Sequence, residues 1–342
     1  MKEVTPIGMR KSEHIHINLE QDVQSGLTSG LENYHFIHHA LPEINLADVD
    51  TTTNVFGRQL KAPILISSMT GGTDEALQIN QVLAQAAQVC LIAMGVGSQR
   101  IALEHPELAA TFKVRQLAPD ILLFANLGAI QLNYGYGIDD CRRIVDMIEA
   151  DALVLHFNAL QEAIQPGGDT QFADLIRQVE AVCQSLPVPV IAKEVGWGFS
   201  NDDITLLLNA GVSAIDAAGA GGTSWSQVEM HRAANEFRKE LAAAFSDWGI
   251  PTAQVIQNIR TVAPGVLVIA SGGLHNGVDI AKCIAMGASL GGMAGPFLRS
   301  ATQSLEQTIN LINLLKEELR ACMFATSSKT LEDLRDNKLV KQ

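Results

Sequence analysis

The chain has 342 residues, a formal charge of −13, 47% hydrophobic residues and only 5% aromatics. So acidic a chain lacks the basic footprint that sequence-independent nucleic-acid binding needs, and any anionic ligand must be met by local positive groups. With few aromatics the core must be aliphatic and rich in Ala and Gly, which suits strands buried on both faces.

In chain order, residues 1–16 are polar and charged and carry no apolar signal core. The first sixty residues read as irregular, up to a β-hairpin at 49–60 (VDTTTNVFGRQL) with Gly57 near its turn. Eight short buried-strand signals follow, at 63–68 (PILISS), 91–96 (LIAMGV), 121–126 (ILLFAN), 152–157 (ALVLHF), 188–194 (VPVIAKE), 214–218 (AIDAA), 266–271 (VLVIAS) and 290–294 (LGGMA). Helical periodicity lies between and after them. Ile138, Cys141, Val145 and Ile148 share one face, as do Phe172, Leu175, Ile176, Val179, Val182 and Leu186. Leu305, Ile309, Ile312, Leu315, Leu319 and Met323 share another. Gly211 and Gly287 stand where C-terminal caps belong.

Strand alternating with helix implies a parallel sheet, and eight units imply closure into a (β/α)8 TIM barrel. A doubly wound open sheet would want a Gly-rich dinucleotide turn after its first strand, and Met69-Thr70-Gly71-Gly72 is not that fingerprint. The expected layout is one barrel domain over 62–326, an extension and hairpin over 1–61, and a charged, mobile tail over 327–342. Five cysteines (Cys90, Cys141, Cys183, Cys283, Cys322) are scattered without metal-ligand spacing, which fits a reducing compartment. No run approaches membrane-spanning length. A cytoplasmic protein without membrane or nucleic-acid partners is expected.

Barrel chemistry comes from strand C-termini and the loops after them. Those positions hold Ser68-Met69-Thr70, Ser98-Gln99-Arg100, Asn126, His156, Gln161-Glu162, Lys193, Gly221-Gly222-Thr223, Gly272-Gly273 and Ala294-Gly295. Singly, a glycine can serve a tight turn, Asn126 a turn cap, and His156 a structural hydrogen bond. Lys193 ends an apolar run where barrel sites lie, and a buried lysine needs a partner. The glycine clusters after strands six, seven and eight, with a helix start at Asn276, suit a phosphorylated cofactor, because backbone amides there can approach phosphate oxygens. A second anion site is suggested by Arg100 and by Arg10-Lys11 with His14, although a basic pair can equally be solvated surface. Glu162 is either a helix-start residue or a carboxylate sharing Mg2+ with a diphosphate.

Taken together, these stretches resemble the FMN-dependent, type 2 isopentenyl-diphosphate isomerases. The resemblance runs from Arg10 to about Arg320 and rests on RK at 10–11, SMTGG at 68–72, GSQR at 97–100, ANLG at 125–128, LHFNALQE at 155–162, QPGGD at 165–169, KEVGWG at 193–198, AGAGGTSW at 218–225, ASGG at 270–273 and GMA at 292–294. Two departures stand out: His275 where Arg is common in the family, and Ala159 where Pro is common. His275 bears on the cofactor-phosphate shell.

The resemblance implies a 1,3-allylic proton shift that turns isopentenyl diphosphate into dimethylallyl diphosphate, with reduced FMN as acid/base, Mg2+, and NADPH as flavin reductant. It implies a homo-oligomer, tetramer or octamer. It assigns FMN to Ser68, Met69, Thr70, Ser98, Asn126, Lys193, Thr223, Gly272, Gly273, Ala294 and Gly295, with Lys193 near the flavin pyrimidine edge. Substrate falls to Arg10, Lys11, Ser98, Gln99, Arg100 and Gln161, and Mg2+ to Glu162. His156 and Gln161 orient the reacting end. Two rivals stay open: an FMN-barrel oxidoreductase of the 2-hydroxyacid oxidase type, for which His275 is the candidate base, and a noncatalytic flavin- or phosphate-binding sensor.

Overall fold

A computed structural model describes residues 6–336 and 339–341. At its centre eight parallel strands close into a barrel. They are β1 Ile64–Ile66, β2 Ala93–Gly95, β3 Leu123–Gly128, β4 Ala152–Phe157, β5 Val190–Glu194, β6 Ala214–Asp216, β7 Leu267–Ser271 and β8 Leu290–Met293. Each predicted strand is present. Every strand pairs with its successor in the chain, and β8 closes the ring on β1. This is the (β/α)8 architecture.

Both faces of each strand are buried, which is why the strands read as unbroken apolar runs. Ile64, Ile66, Leu123, Ala125, Leu153, Leu155, Val190, Ala192, Val268 and Ala270 pack outward against the surrounding helices. Their neighbours Leu65, Ala93, Phe124, Val154, Ile191, Ala214, Ile269 and Leu290 form a separate apolar layer inside the ring. Strand side chains alternate with period two. The next inward residue on each strand is therefore two positions on, and this parity places the site described below.

The hairpin of Thr53–Val55 with Arg58–Leu60 is confirmed. Its turn residues Phe56 and Gly57 both have positive φ, 49° and 79°. Val55, Leu60 and Phe56 join the inner cluster, so the hairpin plugs the N-terminal end of the barrel. Arg58 donates to Asp151 Oδ1 at 2.8 Å and fixes the plug to the start of β4. The helical faces also hold: Cys141, Val145 and Ile148 are buried on Ile138–Ile148, Val179 and Val182 on Leu175–Ser185, and Ile312, Leu315, Leu319 and Met323 on Leu305–Ala325. Gly211 and Gly287 follow their helices with φ 90° and 105°.

One expectation is corrected. The N-terminal stretch is not irregular, because residues Pro6–Glu20 form a helix that packs on Trp225–Arg232 and Gly295–Gln303, both beyond strand C-termini. Leu331–Arg335 is a helix with a Thr330–Asp333 capping box, and Leu339–Lys341 pairs antiparallel with Tyr34–Phe36. Residues 1–5 of the polar N-terminus, and 337, 338 and 342 of the tail, lie outside the described residues. Among the described residues no helix is long and apolar enough to cross a membrane.

Candidate active site

One step above the inner apolar layer, each strand changes character. Leu65 is followed two residues on by Ser67, Ala93 by Gly95, Phe124 by Asn126, Val154 by His156, Ile191 by Lys193, Ala214 by Asp216, Ile269 by Ser271 and Leu290 by Gly292. Of this ring, Ser67, Asn126, His156, Lys193, Ser271 and Gly292 line the floor of a cavity of ≈ 320 Å³. That is within the span of about 300–1,000 Å³ typical of small-molecule pockets. All the site residues assigned from the sequence line this one cavity, except Gln99.

The floor groups hold one another. His156 Nδ1 lies 2.9 Å from Asn126 Oδ1. An amide oxygen only accepts, so in this contact Nδ1 carries the proton. Burial, with Lys193 and Lys11 nearby, pushes the imidazole down to about 4, so it is neutral at ordinary pH. Lys193 Nζ donates to Glu194 O at 2.9 Å and sits 3.6 Å from Asp216 Oδ2. Asp216 Oδ1 accepts from Ser271 Oγ at 2.6 Å.

On the β6–β8 side the cavity wall is backbone. Gly272 and Gly273 have φ 101° and 73°. A Cβ on either would strike the loop after β6, at 2.1 Å from Gly219 O and 2.4 Å from Gly221 O. The two glycine clusters thus form one stacked cradle. The Asn276 helix start does not belong to it in the expected way. Gly277 N donates to Glu318 Oε2 and Asp279 N to Asn276 Oδ1, so this terminus is already capped by the protein. The helix facing the cradle is Gly295–Gln303.

On the β2–β4 side the cavity carries cations. The N-terminal helix swings Arg10 and Lys11 over the mouth, where Lys11 Nζ donates to Ser98 O at 2.8 Å and Arg10 to Gln165 Oε1 at 3.3 Å. Burial and the adjacent Arg10 pull Lys11 down to about 7 against the pull of Glu104. Arg100 is braced by Glu104 and Asp169, at 2.8 and 2.9 Å. Glu162 accepts from Asn158 Nδ2 at 2.8 Å, from Asp169 N at 2.7 Å and from Gln165 Nε2. Gln161 is held by Glu229, whose Oε1 accepts its Nε2 at 3.1 Å.

Gln99 is the exception. It is fully buried behind the wall, with Nε2 donating to Ile144 O and Oε1 accepting from Asn126 N. It ties the loop after β2 to β3 and does not reach the cavity. Asp216 and Glu229 were not singled out from the sequence. Asp216 had a usable signal, being an inward carboxylate one step above Ala214. Glu229 had none, because Gln161 and His14 are remote in the chain and only Arg232, three residues on, is local.

The cavity fits a bound cofactor. Of the buried side-chain polar atoms without a hydrogen-bond partner among the described residues, Ser67 Oγ, Thr70 Oγ1, Gln131 Oε1 and Asn158 Oδ1 all belong to residues that line it. Buried polar atoms are normally paired, so such a concentration marks a place where a ligand supplies partners.

A family model described as FMN-dependent dehydrogenase matches residues 151–341. An isopentenyl-diphosphate delta-isomerase of Nostoc sp. is 53% identical over 327 residues, which cover 95% of this chain and 93% of that protein. This chain belongs to the isopentenyl-diphosphate delta-isomerase family. Isopentenyl-diphosphate delta-isomerases of Rickettsia rickettsii and Rickettsia bellii are 50% and 49% identical, covering 95% and 96% of each chain. Among solved structures, a mandelate oxidase with (S)-2-phenylpropionate superposes with TM-score 0.66 at 20% identity, covering 98% of both chains. A mandelate oxidase mutant with a monooxide FMN adduct does so with TM-score 0.67 at 19% identity, covering 96% of this chain and 98% of that one. At such identity the isomerase family and the oxidases share the barrel, and the likeness speaks for the fold alone.

Proposed function

We propose that the protein converts isopentenyl diphosphate to dimethylallyl diphosphate by a 1,3-allylic proton shift, with FMN and Mg2+ as cofactors and NADPH as flavin reductant. The observation that carries this reading is the division of one cavity into two anion-receiving sides. The glycine cradle after β6–β8 suits a cofactor monophosphate. Arg10, Lys11 and Arg100, after β2 and over the mouth, suit a substrate diphosphate. When bound in its reduced form, FMN supplies the acid/base group for the proton shift.

The chain's own groups position and enclose. Lys193 sits on the floor as a cation for the flavin's polar edge, and Asn126 and His156 form a pre-set hydrogen-bonded pair. Neutral His156 offers an acceptor nitrogen without adding a charge that the isomerisation does not need. Gln161, fixed by Glu229, orients the reacting end of the substrate. The helix bearing Arg10 and Lys11 covers the mouth and excludes water, which strengthens the remaining electrostatics. Mg2+ takes few protein ligands beside phosphates and water. Among the described residues no group of three His, Cys, Asp or Glu is arranged to hold a metal, so Glu162 would bind it jointly with the diphosphate. Assembly as a tetramer or octamer rests on family resemblance and is read by sedimentation.

The oxidase reading needs a base over the reacting centre. His275 is exposed at the rim and its backbone N–H is tied to Asp279, whereas the floor histidine is His156. The deciding assay gives FMN-loaded, reduced protein isopentenyl diphosphate and, separately, 2-hydroxy acids under oxygen. Dimethylallyl diphosphate supports the isomerase reading. Oxo-acid formation supports the oxidase, and flavin binding without turnover of either supports a sensor.

A further inference from the structure

The cradle after β6–β8 is built almost entirely from backbone, yet a phosphate monoester carries close to two negative charges at neutral pH. No Lys or Arg stands at the turn itself or at the first residue of the facing helix. Position 275 is a histidine, exposed at the rim, and position 295, at the start of the helix Gly295–Gln303, has no side chain at all. The missing charge comes from one turn further on. A Cβ built on Gly295 would lie 3.5 Å from Arg299 Nη1 and 3.7 Å from Nη2. The guanidinium therefore folds back to within van der Waals contact of the helix start. Arg299 lines the same cavity as Gly272, Gly273 and Ala294.

The other Lys and Arg side chains around this cavity are engaged. Arg100 is paired with Glu104 and Asp169, Lys193 with Asp216, Lys11 with Ser98 O and Arg10 with Gln165. The Arg299 side chain is exposed where it lines the cavity, and it has no hydrogen bond or ion pair among the described residues. It stands where the first amides of a helix lack intrahelical partners and the helix dipole favours an anion. The capped start of the neighbouring helix at Gly277 offers no such terminus.

We infer that Arg299 is the side-chain ligand of the cofactor phosphate, reaching back over Gly295 to pair with it while the Gly272-Gly273 turn and the Gly295 helix start supply backbone donors. The inference rests on the FMN reading. It makes Arg299 responsible for discrimination between FMN and riboflavin, since the two flavins differ only in that phosphate.

The experiment is a fluorescence-quenching titration of apoprotein with FMN and with riboflavin, comparing the wild type with Arg299→Gln and Arg299→Lys. Loss of one charge-assisted interaction with a phosphate should weaken FMN binding by roughly ten- to a hundredfold. Riboflavin affinity should stay unchanged, which also reports an intact fold, and Arg299→Lys should recover part of the FMN affinity. FMN binding within twofold of the wild type in Arg299→Gln overturns the inference, as does an equal loss for both flavins. Wild-type protein that binds neither flavin overturns the FMN reading and this inference with it.

Discussion

Lys193 on β5 and Asp216 on β6 are direct neighbours in the barrel register, with Nζ 3.6 Å from Oδ2 and side chains 12% and 3% exposed. Removing one member of such a pair leaves the other charge with little water to solvate it. Asp216→Asn should therefore lower the stability of the apoprotein by about 3 kcal/mol, read from the urea midpoint at neutral pH. Asp216→Asn combined with Lys193→Met should recover part of that loss. A single variant as stable as the wild type would mean that water in the cavity already solvates Lys193.

Lys11 gives the substrate side a pH dependence. Burial and Arg10 lower its pKa to about 7, so the free site loses this cation as pH rises through 7. A diphosphate binds the protonated form better, so kcat/KM should fall above pH 7 by more than the substrate's own ionisation explains. Lys11→Arg stays charged throughout and should flatten the profile. Lys11→Ala and Arg10→Ala should each reduce kcat/KM roughly ten- to a hundredfold with flavin content unchanged. Wild-type kcat/KM in both Ala variants would return the pair to solvated surface.

His156 is expected to remain neutral across the working range. Its imidazole is pushed down to about 4 by burial and by two lysines, so its charged form appears only well below pH 5. In a nitrogen-resolved NMR titration its ring signals should not move between pH 5 and 8, and should report a proton on Nδ1, towards Asn126. An inflection near pH 6.5 assigned to His156 would show that the floor is wetter, or its lysines less charged, than the geometry indicates.

Much of the architecture was legible because barrel strands bury both faces and so leave continuous apolar runs at 64–66, 123–125 and 190–192 in an otherwise mixed sequence. The candidate site was legible to the extent that it sits at strand ends, where Asn126, His156 and Lys193 follow apolar residues directly. Contacts between remote segments were not. Ser98, Gln99 and Arg100 are consecutive, yet Gln99 turns inward to bond Asn126 and Ile144 while Arg100 turns to Asp169. Nothing in the local sequence decides which way each points. The helix Pro6–Glu20 was missed because its stabilising face is short: Ile15 is buried in the core and Leu19 only partly. The strand Leu339–Lys341 was missed because three residues show no period and their partner Tyr34–Phe36 lies at the other end of the chain.

Glu162 is expected to act on metal rather than on the substrate's proton. It already accepts from Asn158, Gln165 and Asp169 N, an arrangement that holds a carboxylate in place for a cation. Glu162→Gln should raise the Mg2+ concentration needed for half-maximal activity, with activity returning at high metal. Metal dependence identical to the wild type alongside a collapsed kcat would assign Glu162 to proton transfer.

A cavity that joins a flavin to an isoprenoid diphosphate for isomerisation must catalyse no net redox change. The most direct measurement incubates the purified protein with FMN, NADPH, Mg2+ and isopentenyl diphosphate without oxygen, then separates the products. The expected result is dimethylallyl diphosphate forming over many turnovers once the flavin is reduced, with no further NADPH consumed. Fully FMN-loaded, reduced protein that forms none, or that consumes NADPH in proportion to product, would contradict it.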